Sequence, residues 1–123
     1  MRINNQLFLL SILLLFLVAC GKAEEEIPSM TGKWSGGGGG AVVNVTVNEN
    51  DTEINGSGNL AGGSSSIALT VSGTNVYPNV SLTLSSTNYA PINFTGRFSD
   101  SNTIDGKLNG SGFNDLVISL VRQ

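Results

Sequence analysis

Between Val43 and Leu120 the apolar residues recur at every second position, the spacing of a strand with one buried face, and no stretch there carries helical spacing. Val43, Val45 and Val47 alternate with Asn44, Thr46 and Asn48, and Ile54, Gly56, Gly58 and Leu60 make the next inward set. Ile67, Leu69 and Val71 alternate with Ala68, Thr70 and Ser72, as do Val80, Leu82 and Leu84 with Ser81, Thr83 and Ser85. Ile92, Phe94, Gly96 and Phe98 oppose Asn93, Thr95 and Arg97. Ile104, Gly106 and Leu108 oppose Asp105 and Lys107, and Leu116, Ile118 and Leu120 share one face of a last strand. An opening strand around Trp34 brings the number to eight.

The breaks at Glu49-Asn50-Asp51, Gly73-Thr74-Asn75 and Ser99-Asp100-Ser101-Asn102 are built from residues that turns favour. Breaks this short join antiparallel neighbours into a meander. Eight strands with one apolar face can close on themselves and leave no edge exposed to aggregation. The predicted fold class is therefore all-β, a small antiparallel up-and-down eight-stranded β-barrel, with a two-sheet β-sandwich as the alternative.

Glycine weakens a strand interior, so its place on the inward parity needs a reason. Gly56, Gly58, Gly96, Gly106, Gly110 and Gly112 would let a small barrel coil sharply while making room for Trp34, Phe94, Phe98 and Phe113. The related runs Ile54-Asn55-Gly56-Ser57-Gly58 and Leu108-Asn109-Gly110-Ser111-Gly112 read as one structural device used twice. Gly36 to Gly40 reads as a flexible connection, since it lacks the lysine and following helix of a phosphate loop. Strands of about seven residues rise roughly 23 Å, less when tilted. With Val, Ile, Leu and Phe pointing inward, the lumen is expected to be a packed core rather than a deep cup.

Upstream the pattern changes. Residues 7–19 are apolar except for Ser11 and follow a single positive charge at Arg2, the charged and hydrophobic regions of a secretory signal. The run is shorter than the roughly 20 residues that cross a bilayer. It ends at Leu17-Val18-Ala19-Cys20, whose cysteine is the only one in the chain. This tetrapeptide resembles the lipobox of bacterial lipoproteins. The resemblance implies cleavage before Cys20, a diacylglycerol on its thiol and an acylated amine, so that two or three chains such as palmitate together anchor the protein stably. Gly21 stands where an aspartate would resemble the inner-membrane retention signal of enteric bacteria, which implies the bacterial outer membrane as destination. Lys22-Ala23-Glu24-Glu25-Glu26 resembles the lysine-plus-acidic signal that exports some Bacteroidota lipoproteins to the cell surface, and reads equally well as a solvated acidic tether. The expected organisation is a cleaved signal over 1–19, a lipidated Cys20 with a flexible tether over 20–29, and a barrel domain over 30–123.

Charge and composition narrow the chemistry. Without the signal the chain holds five basic residues against nine acidic ones, a net charge of -4 that argues against nucleic acid as a partner. There is no histidine to act as a base near neutral pH, and lipid would consume Cys20. Glu49, Asp51, Glu53, Asp100, Asp105 and Asp115 fall at predicted turns or outward positions rather than on the inward face. Asp100, Asn102 and Asp105 could offer oxygen ligands, but their spacing is not that of a calcium loop, and Asp-Ser-Asn is ordinary turn chemistry. The chain is expected not to be an enzyme, and no cofactor or metal is assigned to it.

Thr31-Gly32-Lys33-Trp34 opens the domain, and Arg122 stands near its end at the parity of Leu116, Ile118 and Leu120. This resembles the Gly-x-Trp and late basic residue of the calycin superfamily, the lipocalins, fatty-acid-binding proteins and avidins. In that superfamily the tryptophan plugs one end of the barrel and the arginine lies across its ring. The resemblance therefore implies a lipocalin-like barrel closed by Trp34 and Arg122, a contact worth about 0.5 to 2 kcal/mol. It also allows a small apolar ligand, lined by Phe94, Phe98 and Leu120. Trp34 is the only tryptophan, so the aromatic walls of an avidin biotin pocket have no counterparts. The alternative is an inhibitor or interaction module that meets an envelope protein or polymer through its outer surface, with Tyr77-Pro78 and Tyr89-Ala90-Pro91 as anchors.

Overall fold

The alternating pattern folds into eight antiparallel strands in the computed structural model, which describes residues 27–123. They are β1 (Gly32–Gly38), β2 (Ala41–Asn50), β3 (Glu53–Gly62), β4 (Ser65–Val76), β5 (Asn79–Ser85), β6 (Ile92–Asp100), β7 (Thr103–Gly110) and β8 (Phe113–Arg122). Each strand pairs with the next in sequence, and β1 also pairs with β8, Trp34 opposite Arg122 and Ser35 opposite Val121. That last pairing closes the sheet into an up-and-down barrel, where a sandwich would leave it open. No helix occurs among the described residues. The signal-like run, Cys20 and the acidic stretch through Glu26 lie outside them.

The inward columns are those of the sequence. Val43, Val45 and Val47, Leu69 and Val71, Val80, Leu82 and Leu84, and Ile118 and Leu120 are all buried, while the residues between them are exposed or half-exposed. Burial of such side chains is worth about 1.5 to 3 kcal/mol each relative to exposure. Packing is complete in the middle of the barrel. The space bounded by Val43, Val45, Leu82, Leu84, Phe94, Leu108, Ile118 and Leu120 has no room for a water molecule.

Four local expectations are corrected. Gly73-Thr74-Asn75 is not a turn: β4 runs through it, pairing Gly73 with Ile54 and Leu82, and the chain reverses at Tyr77-Pro78 instead. Gly36, Gly37 and Gly38 are not a flexible connection but the second half of β1, opposite Val43, Val42 and Ala41. A Cβ on Gly36 would stand 2.0 Å from the Ser119 carbonyl oxygen, so it is the close approach of β8 that requires glycine there. Gly110 and Gly112 do not continue an inward column. With Ser111 between them, all three at positive φ, they form the β7–β8 reversal, whereas Gly56 and Gly58 sit within β3; the two similar pentapeptides do different work. Glu49, finally, has inward parity and is half-buried, because β2 extends through Asn50 and the turn begins at Asp51, two residues later than composition suggests.

The connections sort the barrel into two unlike ends. At one lie the β2–β3, β4–β5 and β6–β7 turns together with the C-terminus and the entry of the chain into β1. At the other lie the β1–β2, β3–β4 and β7–β8 turns and the longest connection, residues 86–91.

Candidate functional site

The first of these ends is shut by a plug made from the chain's own entry segment. Met30 is fully buried beneath the sheet, and its carbonyl accepts a hydrogen bond from the Trp34 indole Nε1 at 2.8 Å. Its amide donates to Glu49 Oε1 at 2.7 Å, which gives the half-buried carboxylate a structural partner. Asn75 Nδ2 donates to the same Oε1 at 3.0 Å and to the Pro28 carbonyl at 3.1 Å. The Pro28 and Ser29 carbonyls are thus held to the barrel as well, by Asn75 and Arg122.

Arg122 completes this end. Its guanidinium lies 4.4 Å from the centroid of the Trp34 ring. Nη1 donates to the Thr31 carbonyl at 3.1 Å, Nη2 to Ser29 at 2.7 Å and to Ser101 at 3.1 Å, and Nε to Asn102 Oδ1 at 3.1 Å. One planar cation therefore ties the entry segment to the β6–β7 turn and roofs the indole, a geometry that arginine's fixed fork suits and lysine's point charge does not. Phe98 meets Trp34 edge-on at 6.2 Å, and Tyr77 packs against Phe98 at 5.5 Å. This end is a lock.

Structure and sequence part company over the ligand. Phe94 and Leu120 lie in the filled middle of the barrel and Phe98 in the aromatic stack of the closed end, so these three residues do not share a cavity. The Phe94 ring instead covers the paired Gly96 and Gly106, where a Cβ on either would come within 3 Å of it. Asp100 accepts the Asn102 amide, Asn102 accepts Arg122 Nε, and Asp105 accepts the Ser119 hydroxyl. Each of these side chains thus has a local structural partner.

The opening is at the other end. A mouth pocket of about 220 Å³ is floored by Leu60, Ile67, Ile92 and Phe113 and flanked by Tyr89 from the 86–91 connection. Ser65, Ser66 and Ser111 are also among its lining residues, and none of the lining residues is charged. An apolar cavity of about 150 Å³ accommodates benzene, so this one suits a ligand of about one ring or a short branched chain. Ligand pockets of drug size start near 300 Å³; a long acyl chain or a porphyrin does not fit.

The origin of the pocket lies in the sequence. Carrying each inward parity one step toward the turn brings Ala41, Gly62 and Ser65 into register as direct neighbours on β2, β3 and β4. Three small inward residues side by side leave a gap that valine or leucine would have filled. Tyr89 was legible as an exposed aromatic; its place over this gap was not, because it depends on how a six-residue connection folds back.

Compared with protein family models, curated proteins and solved structures, the chain matches none. What it can do must therefore be argued from its own geometry.

Proposed function

We propose that this protein is a lipid-anchored bacterial outer-membrane lipoprotein, calycin-like in its barrel closure, that binds a small, uncharged, apolar ligand at its open mouth and does no chemistry on it. The observation that carries the reading is the mouth pocket, whose lining is mainly apolar and carries no charge. Such a lining selects a ligand by shape and desolvation, and a carboxylate or ammonium placed in it would lose hydration without finding a counter-charge. The filled middle of the barrel restricts the ligand to the mouth. Trp34 beneath Arg122 supports the likeness in closure, and the lipobox-like tetrapeptide supports the anchor.

The test is calorimetric titration of the full lipidated chain in detergent with a neutral one-ring arylamine, N,N-dimethylaniline, against a blank of detergent alone, beside mass spectrometry of an organic extract of the protein purified from its own envelope. Ala41→Phe puts a ring into the gap at the mouth. It is expected to abolish arylamine binding and to remove any stoichiometric small molecule from the extract, with the melting temperature unchanged. Binding that survives Ala41→Phe at full affinity, or an empty extract with no arylamine bound, refutes the reading.

A second reading has one observation in its favour. Tyr89 is exposed at the tip of the 86–91 connection, and tyrosine gives a large contact area at low entropy cost. The protein would then be an inhibitor or interaction module holding an envelope protein or polymer at the mouth. Loss of such a partner on Tyr89→Ser, with arylamine binding retained, would favour it.

A further inference from the structure

The closed end carries a feature that plugging the barrel does not use. Ile27, Val76 and Tyr77 are 66, 60 and 47% exposed, and all three line one shallow hollow of about 370 Å³ beside Pro28. Isolated apolar residues on a surface need no explanation, but a cluster on one tip does. These three sit where the chain enters the barrel.

We propose that this tip is a membrane-contact face: Ile27, Val76 and Tyr77 rest in the interfacial region of the bilayer to which the acylated Cys20 tethers the protein, and the mouth points away from it. The inference rests on the lipid anchoring in the reading above and goes beyond it. From Cys20 to Ile27 is seven residues, at most about 25 Å of fully extended chain. A short tether of this kind keeps the closed end near the lipid at all times, so a small apolar face gains from a very high local concentration of membrane. The mouth lies at the opposite end of strands of up to 12 residues, about 30 Å away once tilt is allowed for.

The chemistry of the tip selects the lipid. Tyr77 presents an apolar ring and a polar hydroxyl, the combination that settles at headgroup depth. The residues lining the hollow include the acidic Glu49 and Asp51 and no cation, and Arg122 at the same end has its guanidinium engaged with the Ser29, Thr31 and Ser101 carbonyls and the Trp34 ring. The attraction is apolar, and it fits an uncharged or zwitterionic surface better than an anionic one.

A label can be placed without ambiguity, because Cys20 is the only cysteine and its thiol is taken by lipid. Lipidated full-length Val76→Cys and Ser64→Cys chains, each carrying a nitrobenzoxadiazole dye, are incorporated into phosphatidylcholine vesicles containing nitroxide-labelled lipid. The dye at position 76 is expected to lose about half its emission to the nitroxide and to resist aqueous iodide, as does a group held in the interface. The dye at position 64, on the β3–β4 turn, is expected to show the reverse. Equal and weak lipid quenching at both sites, in a chain that floats with the vesicles, overturns the inference and leaves the anchor standing. So does a dye at 76 shielded from both quenchers, which would mean that the tether or a second copy covers the tip. A chain that does not float with the vesicles defeats the anchoring itself.

Discussion

Arg122 has more partners than any other side chain in the barrel, and their geometry says what a substitution should do. Charge-assisted hydrogen bonds are each worth about 1.5 to 3 kcal/mol in good surroundings, and a cation over an indole adds about 0.5 to 2. Arg122 is only half-buried and solvent competes for its guanidinium, so the sum is heavily discounted. Arg122→Ala is expected to cost about 2 to 3 kcal/mol, a fall of roughly 10 °C or more in melting temperature for a domain of this size. Arg122→Lys should recover less than half of that, because an ammonium can reach neither the Ser29 and Thr31 carbonyls together nor lie flat on Trp34. Urea denaturation of the three proteins decides it. A lysine variant as stable as the parent would mean that charge alone matters at this position. Asn75, by contrast, is a residue whose design is incomplete: it is 4% exposed, both of its donor contacts serve the plug, and its Oδ1 has no partner.

At the scale of the elements, the period-two alternation made seven of the eight strands legible, because a barrel with a solid interior and a wet exterior imposes it wherever side chains fill that interior; β1, whose second half is glycine, shows no such alternation and is marked only by Trp34. What it could not show is where a strand stops. Gly73, Thr74 and Asn75 have turn composition yet continue β4, since their hydrogen bonds to β3 and β5 outweigh local preference. Met30 was invisible as a core residue because it belongs to no strand and is buried only by folding back under Trp34. The inward glycines were recognised as making room, and the structure names the occupant: Gly96 and Gly106 face each other across β6 and β7 beneath the Phe94 ring. In Gly106→Ala the new Cβ would meet the Thr95 carbonyl oxygen at 2.4 Å and Phe94 Cζ at 2.7 Å. Overpacking of this kind typically costs about 1 to 3 kcal/mol. Phe94→Leu removes the ring and opens a void, so each change alone should destabilise. Together they should cost less than their sum, since the smaller side chain relieves part of the clash. A double-mutant cycle by urea denaturation measures the difference; strict additivity would mean that the ring does not press on Gly106.

The whole molecule divides its tasks along its axis. A plug held by Arg122, Glu49 and Asn75 closes the end where the chain enters, a solid core fills the middle, and the pocket opens at the far end. Among the described residues no open channel connects the two ends, so under the proposed reading a ligand would reach the mouth from the aqueous side and not from the bilayer. Anchoring and binding are then separable, and Cys20 is the place to separate them. Cys20→Ala is expected to abolish incorporation of radiolabelled palmitate, because the chain has no second thiol to acylate in its place. Pro28 is held at the closed end, opposite the mouth, so the same variant should bind the arylamine at the mouth with unchanged affinity. Undiminished palmitate incorporation would end the lipoprotein reading. Lost labelling with weakened binding would mean that the acylated terminus reaches the pocket, which the positions of Pro28 and Tyr89 at opposite ends of the barrel argue against.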